Sequence, residues 1–468
     1  MSHTLERKYG LFTAICMVVG IVIGSGVFFK AQTILQKTGG DMPLGILAWI
    51  IGGAIMLACL LAFSFMGQKY EKVNGIVDYA EATMGKNYGY MMGWFVSTVY
   101  YPAMTSALAW VTARYLLVFL TATGVPLGEG SNPVTGPECM VLALFFMAFS
   151  FSINALSPKL AGKFQTSTTV IKLIPLGLMA VVGIIYGLIS GTLTQNFVTK
   201  VDVAGVSSNP LFAAVCSTAF AYEGWIIATS INAELKDSKK NLPKALTLGG
   251  IIIVAVYIFY YIGVGGGATN EALIHDGAPI AFVNIFGNVL GNILNLFIAI
   301  SCFGTLNGLM LGCCRGMYSI AARGRGPAPK IYSRVDESTN MPNNSSVMAL
   351  LVTAAWFLYF YIANLYSFKV GDQTVSLAGK PFMFDSTELP IITIYTMYLP
   401  IFFQWIRKEK DQSLVRRFII PILAIAGSCF MVLACIVSHG MSCLWYVIVF
   451  GLIMLLGWVL DAPNRKST

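Results

Sequence analysis

Glycine and serine alternate near the start of the chain, inside a stretch that is otherwise apolar. Residues 20–29 read GIVIGSGVFF, with Gly24, Ser25 and Gly26 at the centre. Glycine is among the weakest helix formers, and it lets a ligand approach the backbone closely. A helix interrupted here would present backbone N–H groups that favour a carboxylate. The stretch predicts either an anion-binding break or, through a Gly20/Gly24 pair, close helix packing.

A second interruption is predicted in residues 217–230, STAFAYEGWIIATS. Glu223 and Gly224 lie in the middle of this apolar run, where an acidic side chain costs about 2.5–3.5 kcal/mol on insertion scales. Backbone carbonyls that end a half-helix before Glu223 could accept from an ammonium group. These carbonyls belong to Phe220, Ala221 and Tyr222. Two such breaks together suit an amino acid, which carries one anionic and one cationic group.

A lone lysine lies deep in another apolar run. Eight uncharged residues, 164–171, precede Lys172, and 27 more, 173–199, follow it. A cation at this depth is expected to face the helix bundle and a polar partner. Carbonyls of the first break and the Ser301 hydroxyl are candidate partners, and Tyr257 could join them. The alternatives are an interfacial lysine on a tilted helix and an ordinary packing tyrosine.

The composition shows what kind of protein must position these residues. The 468 residues are 56% hydrophobic and 11% charged, with a mean hydropathy of +0.73, whereas soluble domains average about 25% charged residues. Runs without acidic or basic residues recur at the roughly 20 residues that a helix needs to cross a bilayer. Transmembrane β-barrels use shorter, alternating strands. We predict an all-α polytopic membrane protein with twelve transmembrane helices, the first and sixth interrupted.

Two interruptions five helices apart are typical of secondary transporters built from inverted repeats. We therefore predict one transmembrane domain, residues 1–468, with a LeuT-like 5+5 arrangement. The first repeat covers about 11–190 and the second about 209–406, and two accessory helices occupy about 417–460.

The net charge of +9 follows the predicted topology. With both termini on one side, 22 of the 30 lysines and arginines fall on that side, 5 on the other and 3 within spans. Lys30 is counted among the 5. This asymmetry follows the positive-inside rule and predicts a multi-pass protein with cytoplasmic termini. The charge therefore does not indicate nucleic-acid binding.

Histidine and cysteine usage gives no catalytic motif. The three histidines, His3, His275 and His439, are far apart and lie at predicted loops, termini or turns. Most of the ten cysteines lie in apolar segments without a CxxC pair. We expect no enzyme activity, no metal site and no cofactor.

Four ordered segments resemble the amino acid–polyamine–organocation (APC) superfamily and its L-type amino acid transporter branch. They are GIVIGSGVFF, FAYEGW with the following AELKDSKKNLPKA, ISCFGTLNG at 300–308 and ARGRGPAP at 322–329. The resemblance covers residues 11–345, and the last four helices match only in pattern. It implies a twelve-helix LeuT-like fold and sodium-independent amino acid transport, often by obligatory exchange.

The resemblance also implies roles for single residues. Gly24, Ser25 and Gly26, preceded by Ile23, match the carboxylate-binding break of the family. Phe220 matches the aromatic residue that covers the substrate. Lys172 falls where sodium-independent members place a lysine in the position of a sodium ion.

Two departures from the branch bear on coupling and partners. Many members carry a small residue in place of Glu223, which here could carry a coupled proton, neutralise Lys172 or a cationic substrate, or be a structural acid. Animal members use an external cysteine to join a single-span subunit, and the 121–138 loop has none, although Cys139 adjoins it. We expect a stand-alone transporter in a bacterial inner membrane, with no obligatory heavy subunit.

Together these features predict a sodium-independent exchanger of small neutral L-amino acids, such as alanine and serine, working by alternating access across the plasma membrane. A proton-coupled or cationic amino acid or polyamine antiporter is the alternative within the superfamily. A membrane amino acid sensor is the alternative from another class. The predicted partners are small amino acids and the lipid bilayer. The substrate-binding candidates are Ile23, Gly24, Ser25, Gly26, Phe220, Ala221, Tyr222, Glu223 and Gly224, and the coupling or gating candidates are Lys172, Ser301, Tyr257 and Phe220.

Overall fold

The fold is almost entirely α-helical. A computed structural model describes residues 10–70, 75–126, 128, 132–202, 206–228, 235–370 and 373–465. Within those residues, ten helices are long and apolar enough to cross a membrane, and two shorter apolar helices span Leu11–Gly20 and Pro210–Tyr222. The α-helical membrane class is confirmed. The two shorter helices come from the predicted first and sixth spans, and the total of twelve stays a prediction.

The chain divides into two compact units, each made of three chain segments. The first unit comprises Met1–Met92, Leu176–Gly287 and Ile391–Ser438. Its helices, in chain order, are α1 (Leu11–Val22), α2 (Gly26–Lys37), α3 (Met42–Lys69), α4 (Ile76–Met84), α5 (Lys86–Phe95, to Met92), α9 (Ile184–Ser190), α10 (Thr192–Val198), α11 (Pro210–Tyr222), α12 (Trp225–Ala228), α13 (Ser238–Gly267), α14 (Asn270–Asp276), α18 (Leu389–Lys408) and α19 (Ile420–His439).

The second unit comprises Gly93–Pro175, Asn288–Pro390 and His439–Thr468. The long helix α15 (Ala278–Ala321) is broken at Gly287 (φ +77°), where the first unit ends. The elements of the second unit are α6 (Tyr101–Ala122), α7 (Pro137–Leu156), α8 (Pro158–Leu178, to Pro175), α15 from Asn288, α16 (Pro329–Tyr332), α17 (Asn343–Phe360), β1 (Ser367–Val370), β2 (Gln373–Ser376), α20 (Met441–Leu460) and α21 (Ala462–Arg465). Single π-helical turns occur at Val96–Tyr100, Met179–Gly183, Tyr361–Leu365 and Val415–Ile419.

Both predicted interruptions are present. Helix α1 ends at Val22, Ile23 is extended (ψ 104°), and α2 starts afresh at Gly26. Helix α11 ends at Tyr222, and Glu223 is extended (ψ 167°). Gly224 then takes φ +99°, a left-handed value that glycine adopts without steric cost. The prediction of interrupted first and sixth helices is confirmed.

An aromatic core holds the first unit together around these breaks. The Trp49 ring of α3 lies 5.6 Å from Tyr222 of α11 and 5.5 Å from Tyr257 of α13, between ring centroids. The Tyr222 hydroxyl donates to the Trp49 carbonyl at 2.9 Å. Because all three side chains are fully or almost fully buried, they fix α3, α11 and α13 against one another.

Buried amides connect helices of the second unit. Asn154 Nδ2 of α7 donates to Asn307 Oδ1 of α15 at 2.8 Å, and Asn307 Nδ2 donates to the Ala161 carbonyl of α8 at 3.3 Å. The sequence leaves Asn307 open between packing and substrate contact, and these bonds make it an interhelical link. Within one helix, Thr305 donates to the Ser301 carbonyl at 3.2 Å.

Three element boundaries differ from the sequence expectations. The first span is expected to end near Phe29, but α2 continues to Lys37. The fifth is expected to begin near Gln165, but α8 begins at Pro158, a residue well suited to the first turn of a helix. In the expected polar loop at 363–383, β1 and β2 pair as an antiparallel hairpin.

Candidate functional site

The break between α1 and α2 is buried within the first unit. Ile23 is fully buried and Ser25 is 1% exposed. The N–H groups that open α2 have no carbonyl one turn earlier to bind, so they are available to an anion. Ser25 Oγ is buried and has no hydrogen-bond partner among the described residues. The break therefore presents both backbone donors and a hydroxyl to a carboxylate.

The two breaks touch. A Cβ atom placed on Gly26 would lie 2.5 Å from the Cα of Ala221, a distance that real Cβ atoms essentially never show. Only glycine permits this approach between α2 and the end of α11. The donors at the start of α2 therefore lie next to the carbonyls at the end of α11.

Tyr257 of α13 connects the breaks through its hydroxyl. The hydroxyl oxygen lies 3.1 Å from the Val22 carbonyl oxygen and 3.0 Å from the Ala221 carbonyl oxygen, and the side chain is fully buried. Both carbonyls are orphaned where their helices stop. The hydroxyl has one proton and can donate it to either carbonyl. The structure thus brings Tyr257 to the break residues.

A buried lysine that the sequence analysis assigned to a loop lies beside Phe220. Lys30 is 2% exposed, and its Nζ lies 5.1 Å from the centre of the Phe220 ring and 5.2 Å from that of Phe29. The two rings meet edge to face at 6.2 Å. An ammonium over an aromatic face is stabilised by the charge distribution of the ring.

The assignment of Lys30 to a loop was wrong, because α2 continues past Phe29 to Lys37. One feature of the sequence points to the position of Lys30. Lys30 follows Gly26 by four residues, so in a continuing helix the two share a face.

Glu223 is buried between helices of the first unit. The side chain is 7% exposed and interacts electrostatically with Cys59 of α3 and Tyr395 of α18. Cys59 Sγ in turn lies 3.6 Å from Ser428 Oγ of α19. The Glu223 carboxyl group therefore lies close to polar side chains of α3 and α18.

Lys172 and Ser301 both lie in the second unit, with 1% and 0% of their surfaces exposed. A Cβ on Gly304 of α15 would lie 2.4 Å from Thr168 Oγ1 of α8, so the two helices are in close contact there. Lys172 is one turn beyond Thr168, and it interacts electrostatically with Cys302. Lys172 is thus buried against the α15 segment that carries Ser301, as expected of a lysine that faces the bundle.

The predicted site residues fall into two groups. The first unit brings together the substrate-binding candidates and Tyr257, and the second unit contains Lys172 and Ser301. Burial of both groups agrees with the sequence analysis, whereas their functional roles stay predictions.

A family model described as amino acid permease matches residues 9–459 of the chain. The chain belongs to the amino acid permease family, within the APC superfamily. The match covers both breaks, Lys172 and all four segments that carry the sequence resemblance, and it extends over the last four helices. This permease is therefore similar to the family along nearly its whole length.

Individual amino acid transporters and exchangers are similar to the chain as well. The permease is 30% identical to the serine/threonine exchanger SteT of Bacillus subtilis, over 94% of each chain. It is 26% identical to the large neutral amino acids transporter small subunit 2 of Rattus norvegicus, over 86% of the permease and 76% of that protein. It is also 26% identical to the human b(0,+)-type amino acid transporter 1, over 93% and 84% of the two chains.

Proposed function

We propose that the permease exchanges small neutral L-amino acids, such as serine, threonine and alanine, across the membrane by alternating access. The approach of Gly26 to Ala221 carries this proposal, because it sets backbone donors next to backbone acceptors, the two kinds of group that the carboxylate and the ammonium of an α-amino acid need. Similarity to a serine/threonine exchanger over 94% of the chain supports the substrate class.

The geometry suggests how the substrate is held. The carboxylate accepts from the N–H groups at the start of α2 and from the Ser25 hydroxyl, where the helix dipole also favours a negative charge. The ammonium donates to carbonyls at the end of α11, near Phe220 and Tyr222. Phe220 covers the substrate from the side of Lys30. None of these contacts involves the substrate side chain, so its size and polarity are selected elsewhere in the site.

Lys172 and Ser301 are proposed to make the transport sodium-independent. A buried ammonium supplies the fixed positive charge that a bound sodium ion would otherwise provide. Lys172 on α8 and Ser301 on α15 are both buried, and the two helices are in close contact, which supports this role.

The remaining features of the proposal concern the whole chain. We propose a single transporter domain with two inverted repeats and accessory helices α19 and α20, in the plasma membrane, with both termini cytoplasmic. We also propose that it works without a heavy subunit and catalyses no chemical reaction. Residues 121–138, which include the loop between α6 and α7, contain no cysteine to anchor such a subunit.

Counterflow in proteoliposomes tests the exchange. Purified permease is reconstituted into liposomes that are either empty or loaded with unlabelled serine, and uptake of labelled serine is followed with choline in place of sodium. We expect uptake only into loaded liposomes, inhibited by alanine and threonine and not by arginine. Equal uptake into empty liposomes would exclude obligatory exchange.

Gly26→Ala tests the site itself. The new methyl group would meet the Ala221 backbone, so we expect loss of serine binding with normal insertion into the membrane. Gly451→Ala is the matched control, because a Cβ there has no neighbour within 4 Å. Wild-type serine binding by Gly26→Ala would contradict the proposed site.

Glu223 favours a second candidate, proton-coupled or cationic amino acid transport, because an acidic group is buried at the break. Glu223→Gln preserves the shape of the side chain and removes its proton. If coupling passes through Glu223, the dependence of serine uptake on external pH should disappear in this variant. An unchanged pH profile and unchanged competition by arginine would assign Glu223 a structural role.

A further inference from the structure

Three metal-ligating side chains meet in the second unit. They are Asp385 and Glu388, which lie just before α18, and His439, which closes α19. One ligand atom from each lies within 4.8 Å of those of the other two. His439 Nε2 and Glu388 Oε2 are 2.9 Å apart. We propose that these three residues form a Zn²⁺ site.

The donor set suits zinc in number and kind. Imidazole nitrogen and carboxylate oxygen are both zinc ligands, and zinc sites with three protein ligands leave the fourth position to water. Zinc binds such atoms at about 2.0–2.2 Å, which places tetrahedral donors about 3.3 Å apart. The Nε2–Oε2 pair therefore needs to open by only a few tenths of an ångström. Magnesium and calcium prefer all-oxygen surroundings and fit less well.

The site is held by its surroundings before any metal binds. Asp385 Oδ1 accepts from the Thr387 amide at 2.6 Å, the Thr387 hydroxyl at 2.7 Å and the Glu388 amide at 3.0 Å. These bonds fix the turn and leave Oδ2 able to serve as the ligand.

Burial raises the free-energy cost of placing two negatively charged carboxylates close together here. The Glu388 side chain is 1% exposed and that of His439 13%, while Asp385 is partly exposed and offers a path for entry. Two carboxylates carry two negative charges, which a divalent cation neutralises completely and one imidazolium only by half. Zinc at this point would also tie the chain before α18 to the turn between α19 and α20.

No metal site is expected from the sequence. His439 and Glu388 are 51 residues apart, and no short ligand spacing connects them. Folding alone brings the three donors together.

Isothermal titration of the EDTA-treated, full-length permease with ZnCl₂ tests the proposal. We expect one Zn²⁺ per chain, unaffected by excess Mg²⁺, together with a rise in melting temperature in detergent. His439→Ala should abolish binding, and His275→Ala should leave it unchanged. His275 is the matched control because it is an exposed histidine at the end of α14.

A conservative variant separates loss of Zn²⁺ binding from loss of folding. Asp385→Asn keeps an oxygen for the turn bonds and removes the anionic ligand, so Zn²⁺ affinity should fall at least about tenfold in a protein that elutes normally on size exclusion. Zinc binding of equal affinity in wild type, Asp385→Asn and any folded His439→Ala protein would overturn the proposal. So would failure of the wild type to bind Zn²⁺ at millimolar concentration.

Discussion

The Tyr257 hydroxyl lies next to two backbone carbonyls that have no partner within their own helices, and it has one proton to donate. The contact between the two breaks therefore depends on this residue. Tyr257→Phe would leave the Val22 and Ala221 carbonyls without that donor. Removing a buried hydrogen-bond partner costs about 1–3 kcal/mol. We therefore expect a lower melting temperature and about tenfold weaker serine binding, measured by calorimetry on the purified protein.

Tyr186→Phe is the control for this prediction, because Tyr186 lies in α9 and is 39% exposed. It should match the wild type in both measurements. Unchanged serine affinity in Tyr257→Phe would mean that the hydroxyl serves only helix packing.

Lys30 carries a buried charge beside the aromatic ring that is proposed to cover the substrate. A desolvated cation–π contact contributes about 2 kcal/mol. Lys30→Met keeps most of the side-chain volume and removes the charge, so Phe220 should be held less firmly. We expect the KM for serine exchange to rise about tenfold, while Lys30→Arg retains activity because guanidinium also stacks on aromatic rings.

Lys380→Met, in an exposed loop, is the control for the charge change. If Lys30→Met and Lys30→Arg both behave like the wild type, the contact with Phe220 has no part in transport.

At the scale of the elements, the buried amide pair between α7 and α15 is the clearest link in the second unit. Interhelical hydrogen bonds in membranes are worth about 0.6 kcal/mol on average and up to about 1.7 kcal/mol. Asn154→Leu should therefore lower the free energy of unfolding by about 1 kcal/mol. A double-mutant cycle combines Asn154→Leu with Asn307→Leu. The losses of unfolding free energy in the two single variants should sum to more than the loss in the double variant.

Asn364→Leu is the matched control for the cycle, since Asn364 bonds only to the Phe360 carbonyl within its own helical segment among the bonds described. Strict additivity of Asn154→Leu and Asn307→Leu would show that the two amides do not stabilise each other.

At the scale of the whole molecule, the distribution of basic residues predicts the orientation in the membrane. With 22 lysines and arginines on one side and 5 on the other, both termini should be cytoplasmic. Green fluorescent protein fused after Arg465 in a bacterial host should fluoresce, and alkaline phosphatase at the same place should be inactive. Fusions after Gly128, in the loop between α6 and α7, should behave in the opposite way. The reverse pattern would contradict the predicted topology.

Local sequence was enough for the properties that depend on neighbouring residues. Apolar run length indicated the spanning helices, because the bilayer sets the length that a helix needs. Gly24–Gly26 and Glu223–Gly224 indicated the breaks, because glycine and a buried acid are unfavourable inside such a helix. The length of the uncharged runs around Lys172 predicted its burial. The family, too, could be recognised from four short segments.

Tertiary structure decided what depends on residues far apart in the chain. Among three nearby tyrosines, 257, 260 and 261, helical phase and the position of α13 brought the hydroxyl of Tyr257 to the two broken ends. Lys30 became a buried neighbour of Phe220 because α2 continues past the expected end of the span. Asp385, Glu388 and His439 meet only because separate chain segments converge. Composition and spacing record the preferences of single helices, whereas contacts between helices follow from their relative rotation and depth, which no local pattern encodes.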